Sequence, residues 1–199
     1  MLYIIQTALQ LGCVYSFVAL ALFLSYRILD IADLTTDGCF VLGMAVSVSC
    51  CAGGHPFVGV ILGMIAGGCA GCVTAILQTR LGVPSILAGI VTNTGLYTIN
   101  LMAMGWSSNI SLLKNETIFS LFKKTNIGGA WNTIILAGMI ALCAMVLMKW
   151  FLSTRLGLSI RATGDNRDMV SASSINPRFT ILVGLVVANM FTGLSGALA

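Results

Sequence analysis

Three carboxylates lie close together in the polar stretch that follows the first apolar segment. Asp30, Asp33 and Asp37 are spaced three or four residues apart, beside Thr35 and Thr36. Carboxylates near a membrane interior are costly, so they are candidates for binding an ion or gating a pathway. We also expect Asp37, or Thr36 before it, to cap the next helix, because an acidic group favours the amino end of a helix.

A later apolar segment carries an unusual run of amides and hydroxyls. They are Thr92, Asn93, Thr94, Tyr97, Thr98 and Asn100. Buried amides must find hydrogen-bond partners, so these side chains either join helices to one another or line a hydrated route. The second interpretation predicts a substrate pathway formed by Thr35, Thr36, Asn93, Thr94 and Asn100.

The sequence shows no convincing arrangement of catalytic residues. His55 is the only histidine, and neither a Ser–His–Asp set nor a Gly-x-x-x-x-Gly-Lys-Ser/Thr phosphate loop occurs. The seven cysteines lie in apolar segments or at their ends, where packing explains them better than a zinc or redox site. We therefore predict no catalytic residue, no metal site and no enzyme activity for this chain.

Residues 155–178, the charged segment, stand out in an otherwise almost uncharged chain. The chain has only ten Lys and Arg and six Asp and Glu, and six of these residues lie here: Arg155, Arg161, Asp165, Arg167, Asp168 and Arg178. The segment either faces a partner in water or is an ordinary basic loop that sets topology. We expect a turn at 159–162, a positive-φ break at Gly164, a cap at Asp165 or Asn166, and a short helix at 168–174 that ends before Asn176 and Pro177.

The composition sets the surroundings in which these residues must work. Apolar residues make up 58% of the 199 residues, charged residues make up 8%, and the mean hydropathy is +1.00. A soluble domain carries about 25% charged residues, so this chain is predicted to be an all-α, polytopic transmembrane helical bundle. The net charge of +4 reflects basic residues beside the spans and does not indicate nucleic acid as a partner.

The apolar runs predict about six membrane segments in a single transmembrane domain, 1–199. They are residues 2–27, 37–51, 57–79, 84–105, 131–151 and 178–199. The second is short for a full crossing, so we expect it to be discontinuous or re-entrant. The basic residues around the charged segment place that segment on the cytoplasmic side.

The third segment carries glycines at a strict four-residue spacing. They are Gly59, Gly63, Gly67 and Gly71. Residues four apart share a helix face, so these glycines predict a groove where another backbone approaches closely. Tight packing within the chain is the simpler interpretation, and a role in subunit contact or gating is the alternative.

Residues 157–166, GLSIRATGDN, followed by a short helix and Ile175-Asn176, resemble the cytoplasmic loop of ABC-importer permeases. The similar branch includes the branched-chain amino acid permeases, and uncharacterised permeases associated with tryptophan or tyrosine uptake are nearer still. Residues 33–38 leading into Leu42-Gly43, and residues 193–199, agree with the same family in matching order. One departure is Ser174, where the family usually has glycine.

The resemblance implies a permease subunit in a bacterial inner membrane that works by alternating access. Residues 154–177 would form a cytoplasmic coupling loop, with the coupling positions Arg161, Ala162, Gly164, Asp165 and Asn166. The implied partners are an ABC ATP-binding subunit that holds ATP and Mg, a second permease copy or homologue, an extracellular or periplasmic solute-binding protein, and membrane lipid. Relatives continue through further spans, so we expect this chain to be truncated at its carboxyl end.

Two other functions remain open from the sequence alone. An ion-coupled secondary transporter would use Asp30, Asp33 and Asp37 and would need no ATPase. A membrane scaffold without transport would use the polar fourth span only for packing. Within the permease interpretation, the resemblance favours an aromatic or branched-chain amino acid as substrate, ahead of sugars, nucleosides and other small solutes.

Overall fold

The computed structural model describes residues 2–107 and 132–199, and the regular elements in these two ranges are all helical. A π-helical turn, Phe23–Ile28, continues the first helix. The helices are α1 (Leu2–Leu22), α2 (Thr36–Ala52), α3 (Pro56–Thr79), α4 (Ser85–Ala103), α5 (Asn132–Ser153), α6 (Arg155–Asp165), α7 (Arg167–Ala172) and α8 (Pro177–Leu198). The predicted all-α class is confirmed.

Five of the described helices are long and apolar enough to cross a membrane: α1 with its π turn, α3, α4, α5 and α8. Large apolar side chains such as Ile61 and Trp150 lie on their outer surfaces, as lipid-facing residues do. The 17 residues of α2 span only about 25 Å at a rise of about 1.5 Å per residue. This is less than the hydrocarbon thickness of about 30 Å, and it agrees with the short second segment that the sequence predicts.

Proline and asparagine fix where two of the spans begin. Pro56 and Pro177 stand in the first turns of α3 and α8, where a missing N–H costs nothing. The Asn176 side-chain oxygen accepts a hydrogen bond from the backbone N–H of Arg178 at 3.0 Å and so caps α8. The Asn176-Pro177 pair therefore both ends the charged segment and begins the last span.

Helix α8 lies at the centre of the bundle. It packs most extensively against α3 and also contacts α1, α2 and α6, while α5 packs on α1, and α4 packs on α2 and α3. The largest apolar core lies near the charged segment, where Leu24, Ile160 and Leu185 are completely buried together. The charged segment is thus attached to the core of the bundle on its inner side.

The glycines of α3 lie where three helix backbones meet. A Cβ at Gly63 would lie 2.9 Å from the carbonyl oxygen of Gly43 on α2 and 2.9 Å from Cβ of Ala197 on α8. A Cβ at Gly67 would lie 2.9 Å from Cα of Gly193. We call this contact of α2, α3 and α8 the glycine junction. Gly59 and Gly71 are also buried, against the backbones of α2 and α8 respectively.

Most of the connection between the fourth and fifth spans, including the three lysines at 114, 123 and 124, lies outside the residues that the structure describes. The predicted start of the fifth span at residue 131 also lies outside the described ranges, and α5 begins at Asn132.

Candidate functional site

The two ends of the charged segment are attached to spans by a tight corner and a cap. The Thr154 hydroxyl accepts a hydrogen bond from the Gly157 backbone N–H at 3.3 Å and caps α6. Gly157 lies so close to the backbone of Phe151 and Leu152 that a Cβ would overlap both. The chain therefore turns from α5 into α6 without a flexible linker.

Helix α6 has a buried face and an exposed face. Ile160 and Thr163 are buried, whereas Arg161 and Asp165 are exposed. The Thr163 and Thr180 hydroxyl oxygens are 2.8 Å apart, which joins α6 to the first turn of α8. Both hydroxyls are almost completely buried, and this contact is one that the sequence analysis did not find.

Gly164 faces the end of the first span. A Cβ at this position would overlap the carbonyl oxygen of Ile28 and would lie 3.2 Å from Cα of Leu29. The expected turn at 159–162 and the break at Gly164 were wrong, because α6 runs without interruption to Asp165 and Gly164 has no positive φ. Glycine is required here for close approach to the π turn.

Asn166 separates α6 from α7, as the sequence indicated. Its side-chain oxygen accepts hydrogen bonds from the backbone N–H groups of Asp168 and Met169, both at 3.0 Å. The helix that follows is Arg167–Ala172, close to the predicted 168–174. Asn166, Asp168 and Met169 are all exposed, so this cap faces outward from the bundle.

A Schellman motif ends α7 at Ser174, where the permeases that this chain resembles usually have glycine. The N–H of Ile175 donates to the carbonyl of Val170, and the N–H of Ser174 donates to that of Ser171, both at 3.3 Å. Ser174 has a φ of 61°, in the left-handed region that favours glycine. The turn that glycine would form is therefore formed here by serine, under strain.

A buried carboxylate joins the α1–α2 connection to the middle of α8. The Asn189 Nδ2 donates to Asp33 Oδ2 at 2.7 Å. The backbone N–H of Thr35 donates to Asp33 Oδ1 at 2.9 Å, and the Thr35 hydroxyl also donates to this oxygen. Asp33, Thr35 and Asn189 are each at least 98% buried. Three donors thus satisfy the two oxygens of this buried carboxyl group.

The predicted cap of α2 was wrong. The residue before the helix is Thr35, whose side chain accepts no hydrogen bond from the first turn. The Asp33 carboxylate accepts from the Thr35 N–H instead, so the acidic group that orders this end stands outside the helix. Asp37 is exposed in the first turn and Thr36 donates to the Asp33 carbonyl at 3.2 Å.

The three carboxylates do not form one site. Asp33 is buried, whereas Asp30 and Asp37 are exposed, and Asp30 lines a separate cavity. No group of three or more His, Cys, Asp or Glu that could hold a metal occurs within residues 2–107 and 132–199. This separation does not favour the ion-coupled alternative.

The proposed pathway residues occupy different surroundings. Asn100 is buried, and its Nδ2 donates to the Gly38 carbonyl on α2 at 3.4 Å. Asn93 is half-buried and its oxygen is packed against Gly38. Thr94 is exposed and donates only to the Ile90 carbonyl of its own helix, while Thr35 belongs to the Asp33 cluster. A pathway through these residues stays a prediction.

Membrane spans gathered around an outward-facing polar segment define this chain as a multi-pass membrane protein. Its residues 4–199 match the family described as the permease component of branched-chain amino acid transport systems, and the chain belongs to that family. The spans and the family together place it in a bacterial inner membrane.

Individual relatives are similar over most of this chain. A tyrosine transport system permease protein of Clostridioides difficile is 33% identical over 93% of this chain and 60% of its own length. An uncharacterised protein of Rickettsia prowazekii is 33% identical over 98% of this chain and 67% of its own length. The Lactococcus lactis nucleoside ABC transporter permease protein NupB is 28% identical over 69% of this chain and 41% of its own length. No solved structure matches the chain.

Proposed function

We propose that this chain is the transmembrane permease subunit of an ATP-driven importer for a small solute. The observation that carries the proposal is the two-sided character of α6. Its outer face presents Arg161 and Asp165, while Thr163 and Gly164 on its inner side contact α8 and the end of α1. Family membership supports the same function.

The mechanism is alternating access, with ATP and Mg bound by a separate subunit and no catalysis in this chain. Closure of the ATP-binding subunits pushes on the exposed face of α6 and α7. Gly164 transmits this movement to the backbone of Ile28 because no side chain lies between them. The contact between Thr163 and Thr180 transmits it to α8, so the spans reopen on the opposite membrane face.

Some of the five coupling positions are proposed to contact the ATP-binding subunit, and the others support the loop. Arg161, Asp165 and Asn166 are exposed and are the residues proposed to contact the ATP-binding subunit. Asn166 also supports α7 through its cap. Ala162 and Gly164 are half-buried, so their role is to let α6 lie close to the bundle. Residues 154–177 are thus a coupling loop on the cytoplasmic side of one transmembrane domain.

We propose an amino acid as the substrate. The support is the family description and the tyrosine permease, which is 33% identical to this chain. Relatives whose names specify a nucleoside or D-allose are 28% identical over less of the chain. An external solute-binding protein and a second permease copy or homologue complete the proposed importer.

The experiment compares coupling variants of the full-length protein co-expressed with its ATP-binding subunit. Arg161→Glu and Asp165→Lys reverse exposed charges without touching the core. We expect each variant to lose the ATP-binding subunit during purification, and therefore also to lose transport-linked ATP hydrolysis. His55→Glu is the matched control, because His55 is exposed at the opposite end of α3. If both coupling variants retain the ATPase and transport solute as well as the wild-type protein does, the proposal is refuted.

A further inference from the structure

A polar cavity of about 470 Å³ lies beside the charged segment, between the α3–α4 connection and the start of α8. Its size is within the range of about 300–1,000 Å³ that is typical of small-molecule sites. Its polar side chains come from three parts of the chain that are distant in sequence. They include Asp30, Gln78, Arg167, Asn176 and Arg178.

The cavity contains opposite charges that do not neutralise one another. Asp30 provides a carboxylate, and Arg167 and Arg178 provide guanidinium groups. No ion pair involving these three residues occurs in the described part of the chain. Each charge is therefore available to a ligand group of the opposite sign. A ligand that pairs with these groups would not have to break an ion pair within the protein.

We infer that this cavity binds a small zwitterion. Its anionic group, a carboxylate or phosphate, would bind Arg167 and Arg178, and its ammonium group would bind Asp30. A simple anion would meet repulsion from Asp30, and a simple cation would meet repulsion from two arginines. A molecule that carries both charges would satisfy all three charged groups of the protein. Free amino acids and the headgroup of phosphatidylethanolamine share this chemistry.

Such a ligand would connect the charged segment to the connection that follows the first span. Arg167 belongs to α7 and Arg178 to the first turn of α8, whereas Asp30 follows the π turn Phe23–Ile28. A bound zwitterion would therefore restrain α7 relative to the first span. The inference concerns a site apart from any transport pathway, and it does not depend on an ATP-binding partner.

The test is calorimetric titration of the full-length protein in detergent with four probes. L-leucine and phosphoethanolamine are the two zwitterions, while 4-methylpentanoate and 3-methylbutylamine each carry one charge of leucine. We expect a zwitterion to bind at least about tenfold more tightly than either single-charge probe, since each lacks one set of charge-assisted hydrogen bonds. Preference for L-leucine assigns the site to free amino acids, and preference for phosphoethanolamine assigns it to the lipid headgroup.

Variants locate the binding event. Asp30→Asn and Arg178→Gln should each weaken zwitterion binding by at least about tenfold. Asparagine tolerates the positive φ of 52° at position 30, so the first variant keeps the backbone. Arg80→Gln is the control, because Arg80 is exposed nearby and does not line the cavity. Equal binding of a single-charge probe, unchanged affinity in both variants, or no zwitterion binding would overturn the inference.

Discussion

Asp33 and Asn189 are joined by a 2.7 Å hydrogen bond in the interior of the bundle, although 156 residues separate them in sequence. Asn189 also donates to the Leu185 carbonyl at 3.1 Å, one turn earlier in α8. One amide group thus holds the carboxylate of the α1–α2 connection against the central helix. The connection has a fixed position because of this pair, even though it has no regular secondary structure of its own.

Removing this amide should destabilise the protein strongly. Asn189→Leu leaves one oxygen of a buried carboxylate without its donor, so we expect a loss of about 2–3 kcal/mol in unfolding free energy. Denaturant unfolding in detergent measures it. Thr94→Val is the matched control, since it removes an exposed hydroxyl that bonds only within α4, and it should change stability by less than about 0.5 kcal/mol. Equal stability of the two variants would contradict the role of the pair.

Gly164→Ala should separate the charged segment from the first span. The added methyl group would overlap the Ile28 carbonyl, so we expect α6 to shift and the unfolding free energy to fall by about 1–3 kcal/mol. The control is Gly138→Ala in α5, where a Cβ would meet nothing within 4 Å. This second change should stabilise helix α5 by about 0.5–1 kcal/mol. Thermal unfolding of both variants would show opposite signs, and a neutral Gly164→Ala would exclude the close contact.

Ser174→Gly should stabilise the end of α7. Serine at a φ of 61° carries a left-handed strain of about 1 kcal/mol that glycine does not. Glycine also loses more freedom on folding, so the expected net gain is about 0.5 kcal/mol. Ser174→Val should lower stability, because a β-branched residue adopts this conformation poorly. Hydrogen exchange at the Ile175 amide, which donates across the motif, measures both effects locally.

The two threonines that join α6 to α8 should show energetic coupling. Thr163→Val and Thr180→Val each remove one hydroxyl of the 2.8 Å pair, and the double variant removes both. We expect the double-variant loss to be smaller than the sum of the single losses by about 0.5–1.5 kcal/mol. The unfolding free energies of all four proteins provide this cycle. Strict additivity would mean that the two hydroxyls do not support each other.

Much of the bundle was predictable because local patterns determine it. Charge-free runs predicted the spans, and the Asn166 cap followed from its short-range chemistry. The Asp33–Asn189 pair was not predictable in this way, because no local pattern specifies which partner a buried carboxylate meets across the bundle. Asn189 nevertheless left a signal, since an amide alone in an apolar span needs a partner.

Gly164 shows a second limit of local reasoning. A glycine suggests either a special backbone angle or a close neighbour, and the sequence cannot distinguish between them. In the structure, Gly164 has a close neighbour, the backbone of Ile28. Likewise, the four-residue spacing on α3 indicated a close backbone approach, but not that both α2 and α8 supply the approaching backbones.

The glycine junction also limits how the bundle is able to change shape. Gly43, Gly63 and Gly193 bring three backbones so close that an added Cβ at any of them would lie within 3.0 Å of a carbonyl oxygen on a neighbouring helix. Sliding one helix past another would bring residues with side chains into these contacts, so we expect α2, α3 and α8 to move together. We therefore expect the bundle to open at other boundaries, such as the one where α4 packs on α2 and α3.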